Sequence, residues 1–214
     1  MQNTNNNDSL SSYLSKLIDA CKAHKTAVIA AAVLILLVWG GSAAYLHHQE
    51  KVLQDSWAQF YNVQIALLTQ GQEQAAETAA ALNAQYPDTD AAYYAQLLQA
   101  DLLYTQDNYA QAAELYEKLL GAKNVQVRTV AALSLGAAQQ AVKEYAKSIA
   151  TLQLFIKENP SSFSLPQAYL TLALSQELSA DKASALGTYK KILADYPQTY
   201  FGTFSKDKIS QLSK

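Results

Sequence analysis

Cysteine and histidine are almost missing from this chain of 214 residues. Its single cysteine is Cys21, and no histidine follows His48. The residues after His48 therefore cannot form a Ser-His or Cys-His catalytic pair or a histidine-rich metal site. His47 and His48 are neighbours, and on a helix their side chains point about 100° apart. We predict a protein that is not an enzyme and that has no cofactor and no bound metal.

Glycine and arginine are also scarce. None of the 7 glycines belongs to a Gly-x-x-x-x-Gly-Lys or Gly-x-Gly-x-x-Gly loop, so a phosphate-binding loop is excluded. Arg128 is the one arginine. Residues 1–46 carry three lysines against two acidic residues (+1), whereas residues 47–214 carry thirteen basic against sixteen acidic residues (−3). The longer part lacks the basic face that nucleic-acid binding requires.

A long uncharged run predicts one transmembrane helix over residues 26–46. Ala27 to Leu46 contains no charged residue, and about 20 apolar residues in a helix cross the hydrocarbon of a membrane. Lys16, Lys22 and Lys25 precede the run, which predicts a cytoplasmic amino terminus and places the rest of the chain outside. A signal peptide cleaved after Ser42-Ala43-Ala44 is the alternative. Residues 47–54 are expected to be a juxtamembrane linker.

The residues before the apolar run divide into two parts. Residues 1–9 are polar and low in complexity, which is typical of disorder. Residues 10–25 are predicted to form an amphipathic helix that lies on the inner membrane surface or contacts a membrane partner. Its apolar face consists of Leu10, Tyr13, Leu14, Leu17, Ile18 and Cys21.

A repeat of 36 to 37 residues organises residues 55–214. Pro87, Pro160 and Pro197 each close an Ala/Leu-rich run, and the gaps between them are 73 and 37 residues. Stacked two-helix repeats have this period, and such repeats usually bind other proteins. In each unit a small residue precedes a large apolar one by four, which lets a neighbouring helix approach. These pairs are Ala112 and Tyr116, Ser148 and Leu152, and Ala185 and Tyr189.

The predicted fold class is all-α, with the transmembrane helix followed by an α-solenoid of helical hairpins. Residues 55–87 are expected to form a diverged first hairpin. Residues 201–212 are predicted to form a carboxyl-terminal capping helix, because an uncapped solenoid would expose an apolar face. Its side chains are expected to point inward at Phe204, Ile209 and Leu212, and outward at Lys206, Lys208 and Lys214.

The units resemble the tetratricopeptide repeat (TPR), most clearly from Thr129 to Pro160. Gln96 and Ala132 stand where that family favours Trp, Lys182 replaces its Tyr, and Asn124 replaces its Pro. The resemblance implies a groove that binds an extended or partly unfolded polypeptide. The alternative is that Leu97, Leu133 and Leu170 pack between repeats, leaving Trp57, Tyr94, Tyr104 and Asp101 exposed. The implied groove positions are Trp57, Phe60, Gln64, Tyr94, Leu97, Asp101, Tyr104, Leu133, Ala137, Gln140, Leu170, Leu174 and Glu177.

The order of tail, span and repeats resembles the bacterial YfgM-like family of ancillary SecYEG translocon subunits. That resemblance implies a single-pass protein of the bacterial inner membrane with its repeats in the periplasm. It also implies a scaffold that links exported polypeptides at the Sec translocon to periplasmic chaperones. One alternative is an envelope-biogenesis or cell-division coordinator that uses the same repeats. Another is a sensor or transporter accessory that binds a small ligand in a closed pocket.

Overall fold

The computed structural model describes Tyr13, Ile18, Asp19 and residues 22–213. Between residues 22 and 213 it is helical and contains no strand, which confirms the all-α prediction. The predictions for residues 1–9 lie outside the described residues, as does most of the amphipathic helix expected over residues 10–25. The helices are α1 (Lys25–Thr69), α2 (Gln72–Gln85), α3 (Asp90–Thr105), α4 (Tyr109–Leu119), α5 (Val125–Ala141), α6 (Tyr145–Glu158), α7 (Leu165–Leu178), α8 (Lys182–Asp195) and α9 (Tyr200–Leu212).

The chain divides into two compact units, residues 1–52 and residues 53–214. In the first unit, α1 includes a stretch that is long and apolar enough to cross a membrane, and none of that stretch is buried in the protein. Trp39, for example, is 71% exposed. Residues 47–54, expected to be a linker, are helical throughout.

The second unit consists of helical hairpins that share one turn geometry. The turns α3–α4, α5–α6 and α7–α8 each hold a non-glycine residue with positive φ, namely Asp107 (63°), Lys143 (65°) and Ala180 (67°). These residues are 36 and 37 positions apart, so the turn repeats with the period of the prolines. In each turn the next residue donates its backbone N–H to a carbonyl five positions earlier, as in Asn108 to Leu103 at 2.9 Å. This 6→1 bond satisfies a carbonyl at the helix end.

The connections between successive hairpins also recur. Tyr86, Asn159 and Tyr196 precede the three prolines and have nearly the same φ of −133°, −124° and −132°. A residue before proline is disfavoured in the helical region, which explains why three helices end there. The α4–α5 connection has no proline. Instead, Asn124 caps α5, and the Arg128 guanidinium donates to the carbonyl of Ala122 at 2.6 Å.

Small residues set the spacing inside each hairpin. A Cβ atom added to Gly136 of α5 would lie 2.6 Å from Cγ of Leu152 in α6, so the two helices approach as closely as glycine allows. Ala100 and Ala173 hold the corresponding positions, each in a buried cluster with a tyrosine, Tyr116 and Tyr189. Small residues therefore bring the two helices of each hairpin together, as the repeat pattern predicts.

The predicted capping helix is α9. Phe201, Phe204, Ile209 and Leu212 pack against the buried cluster formed by α7 and α8. One detail of the prediction is wrong, because Lys208 does not point outward. Its ammonium lies 2.9 Å from the carboxylate of Glu177, and its side chain is 22% exposed. Lys214 lies outside the described residues.

Candidate functional site

One face of α3 carries four of the implied groove residues. Tyr94, Leu97, Asp101 and Tyr104 are spaced i, i+3, i+7 and i+10, which places them on one stripe of the helix. Leu97 is buried at 8% exposure and packs in the core, as the alternative interpretation expects. Tyr94 and Tyr104 are partly exposed, and Asp101 is open to solvent on one side.

Three aromatic rings form a cluster at the amino-terminal end of this stripe. The ring centroids of Trp57 and Phe60 lie 5.6 Å apart, those of Trp57 and Tyr94 lie 5.9 Å apart, and those of Phe60 and Tyr94 lie 6.3 Å apart. We call Trp57, Phe60 and Tyr94 the aromatic platform. Trp57 keeps 38% of its surface exposed, so the platform presents apolar area to solvent.

A cavity of about 250 Å³ opens at the other end of the stripe, and we call it the Asp101 cavity. It is formed by the first helices of three successive hairpins, α3, α5 and α7, with Tyr116 contributed by α4. The edge-to-face contact of Tyr104 with Tyr109, at 4.9 Å between centroids, holds the Tyr104 ring in place. The cavity is lined by Asp101, Tyr104, Tyr116, Leu133, Ser134, Ala137, Gln167 and Thr171.

Asp101 is the one charged group in the lining. Its carboxylate accepts a hydrogen bond from the Tyr116 hydroxyl at 2.6 Å. Burial raises the pKa of the Asp101 carboxyl above its ordinary value, and the hydrogen bond from Tyr116 offsets part of that rise. Burial, together with the hydrogen bond to Asp101, also raises the pKa of Tyr116, so this tyrosine stays protonated and acts as the donor. Within residues 22–213, no basic side chain lies within ion-pair distance of Asp101.

The other groove acid, Glu177, is engaged inside the protein. It accepts hydrogen bonds from Lys208 at 2.9 Å and from Tyr189 at 2.8 Å. Burial by itself would raise the pKa of Glu177, but the bonds from Lys208 and Tyr189 outweigh it and lower that pKa. Glu177 therefore carries no free charge for a partner.

Gln140 is also committed to internal contacts. Its amide donates to the carbonyl of Thr171 at 3.1 Å and to the hydroxyl of Ser175 at 2.9 Å. Ser148 donates its proton to the Gly136 carbonyl at 2.7 Å, so Ser175 must be the donor in the 2.8 Å contact between the two serines. This chain of bonds joins α5, α6 and α7.

The structure thus brings the implied groove residues into two groups. The aromatic platform holds Trp57, Phe60 and Tyr94, and the Asp101 cavity holds Asp101, Tyr104, Leu133 and Ala137. Leu97 and Leu170 are buried, Leu174 is half-buried in the core, and Gln64 is exposed outside both groups.

Sequence reasoning misses four residues of the lining, namely Tyr116, Ser134, Gln167 and Thr171. Tyr116 lies on a second helix, where the repeat pattern predicts packing alone. Its phenol ring does pack, but its hydroxyl reaches Asp101 across the hairpin. The signal in the sequence is the hydroxyl itself, since Leu152 fills the equivalent position of the next unit without a polar atom.

Sequence reasoning also misses a second, larger cavity. It measures about 410 Å³ and lies beside α5 and α6, where Leu120, Val125 and Leu154 expose apolar surface. No group of three or more His, Cys, Asp or Glu side chains in the described part of the chain could hold a metal ion.

The stacked hairpins define a helical-repeat protein, a class whose fold is typically a non-catalytic scaffold that binds other proteins. The chain belongs to the tetratricopeptide repeat family. A family model described as "Tetratricopeptide repeat-like domain" matches residues 21–170, and one described as "Tetratricopeptide repeat" matches residues 167–199. No curated protein matches the sequence.

Solved structures of TPR-like repeats share this fold. Nearly identical repeats of a kinesin light chain from Podosopora anserina superpose with a TM-score of 0.57 at 14% identity, and a substituted form of them with 0.59 at 12% identity. In both cases the match covers 72% of this chain and 83% of the other. A double mutant of MamA from RS-1 gives a TM-score of 0.59 at 17% identity over 75% of this chain and 90% of that chain. At these identities the likeness establishes the fold alone.

Proposed function

We propose that this protein is a scaffold anchored in the bacterial inner membrane by α1, with its TPR domain in the periplasm. The domain binds extended segments of exported polypeptides beside the Sec translocon and passes them to periplasmic chaperones. The observation that carries the proposal is the pairing of an unburied apolar helix with a repeat domain whose first helices present exposed aromatic rings.

The charge distribution supports the proposed orientation. Three lysines lie before the apolar stretch, and basic residues flanking a span remain on the cytoplasmic side. The only cysteine, Cys21, would then stay in the reducing cytoplasm, and the exported part would contain no thiol to oxidise.

The two groups of groove residues support polypeptide binding. Tyrosine and tryptophan offer large contact area at little loss of rotamer freedom, which suits a site for many different sequences. The aromatic platform and the Asp101 cavity lie on the same stripe of α3, so one extended segment can contact both.

Two measurements test this proposal. Protease added to intact spheroplasts should digest residues 53–214 and spare the amino-terminal tail; digestion of the tail alone would invert the orientation. Affinity purification of the full chain in mild detergent should recover channel subunits and periplasmic chaperones. Recovery of division or cell-wall proteins in their place would favour an envelope or division coordinator and overturn the translocon assignment.

A further inference from the structure

Asp101 is a carboxylate that lines a cavity without a cation. Glu177 differs from it, because Glu177 receives an ammonium from Lys208 of the protein's own capping helix. Asp101 receives only the Tyr116 hydroxyl, at one oxygen. Carboxylates in a partly buried setting are normally paired with a positive group. The structure therefore leaves a charge that a bound molecule can neutralise.

The rest of the lining fits a planar cation. Tyr104 offers an aromatic ring beside Asp101, and cations bind favourably over such rings. Ser134, Gln167 and Thr171 add polar groups at the wall, while Leu133 and Ala137 suit an aliphatic stem. A guanidinium can bond a carboxylate with two parallel N–H groups and stack on an aromatic ring, which an ammonium cannot do.

The spacing along α3 adds a second requirement. Tyr94 of the aromatic platform precedes Asp101 by seven residues, which is nearly two helical turns and about 10 Å along the helix. An extended polypeptide covers that distance in about three residues. One segment can therefore place a large apolar side chain on the platform and a basic side chain in the cavity.

We infer that the Asp101 cavity is an arginine-binding subsite that selects extended polypeptide segments carrying an arginine three residues from a large apolar residue. This inference rests on the proposed function, since it specifies which polypeptides the same groove prefers. The carboxylate of Asp101 pairs with the guanidinium, Tyr104 stacks on it, and the aromatic platform takes the apolar side chain.

Fluorescent ten-residue peptides and the full chain in detergent micelles test the subsite by fluorescence anisotropy. The reference peptides contain Trp and Arg three residues apart, in both orders along the chain. The matched peptides replace Arg by Gln or place the two residues side by side. We expect the reference peptide in the favoured order to bind about tenfold more tightly than its Gln version, the loss typical of a charge-assisted pair. We expect added salt to reduce that preference.

Protein variants separate the subsite from the groove as a whole. Asp101→Asn keeps an oxygen to accept from Tyr116, so the helices should stay folded while the preference for Arg over Gln disappears. Trp57→Ala should weaken all peptides equally. Glu114→Gln removes a carboxylate of exposed α4 outside the cavity and should change neither.

The outcomes distinguish this inference from the proposed function. Tight binding of Arg and Gln peptides alike, or a preference that survives Asp101→Asn with an unchanged melting curve, overturns the arginine subsite and leaves polypeptide binding intact. Binding of no peptide counts against both. Equal binding of the adjacent and three-residue spacings refutes the register.

Discussion

Gly202 shows how a single residue fixes the junction between the last hairpin and the capping helix. A Cβ atom at this position would lie 2.3 Å from the carbonyl oxygen of Tyr196 and 3.0 Å from the backbone of Pro197. Since these neighbours are backbone atoms, they cannot rotate away as a side chain can. Glycine here serves close approach of two chain segments.

We expect Gly202→Ala to lower the free energy of unfolding by about 2 to 3 kcal/mol, the usual cost of overpacking. Gly187→Ala is the matched control, because Gly187 lies on the exposed side of α8 and nothing approaches its added Cβ within 4 Å. That change should raise stability by about 1 kcal/mol through helix propensity. Urea unfolding of the full chain in detergent measures both. Equal effects of the same sign would show that the contact at Tyr196 does not constrain the fold.

At the residue scale, the sequence predicts packing better than it predicts polar partners. The spacing of Phe204, Ile209 and Leu212 is sufficient to place them inward, because apolar side chains on one helix face seek burial. Lys208 lies on the same helix, and its charge predicts an outward position. Its partner, Glu177, is 31 residues away on another helix, and no local pattern indicates that pair.

At the scale of helices, Glu177 couples the capping helix to the last hairpin. It joins α7 to α9 through Lys208 and to α8 through Tyr189. Because the pKa of Glu177 is lowered in the folded state, the folded protein holds this proton less tightly than the unfolded chain. The contribution to stability is therefore present above the ordinary glutamate value of 4.5 and is lost as the pH falls through the lower folded value.

We expect Glu177→Gln to destabilise the full chain by about 1 kcal/mol at pH 7, the upper range for a pair that is not fully buried. The difference from the unchanged protein should shrink as the pH falls below 4.5, the ordinary glutamate value. Asp195→Asn, which breaks the exposed pair of Asp195 with Lys191, is the control and should have a smaller effect. Urea unfolding at a series of pH values checks this; a difference that grows at acidic pH would contradict the assigned pairing.

The arrangement of helices can be predicted from the sequence because the signals are local and repeated. A residue before proline leaves the helical region, and the same step occurs at Tyr86, Asn159 and Tyr196. The left-handed turns at Asp107, Lys143 and Ala180 carry no such signal, since none is a glycine. Their conformation is imposed by the packing of each hairpin, which residue preference alone does not reveal.

At the scale of the whole molecule, the candidate site combines residues that the sequence keeps far apart. The aromatic platform joins α1 to α3, and the Asp101 cavity joins three hairpins. The resemblance to a repeat family indicates which helices face the groove, but not which side chains remain available. Tertiary contacts decide that: Glu177 and Gln140 are occupied by internal partners, whereas Asp101 and Tyr104 line the open cavity.

The central claim is that the α3 stripe binds exported polypeptides, and site-specific photo-crosslinking in living cells tests it most directly. A benzophenone amino acid would replace Tyr94 or Tyr104, and Lys190, which is exposed on α8 away from both cavities, would serve as the control position. We expect crosslinks from Tyr94 and Tyr104 to newly exported chains or to a periplasmic chaperone, identified by mass spectrometry, and few from Lys190. Equal capture at all three positions, or none at Tyr94 and Tyr104 in protein that remains folded in the membrane, would contradict the claim.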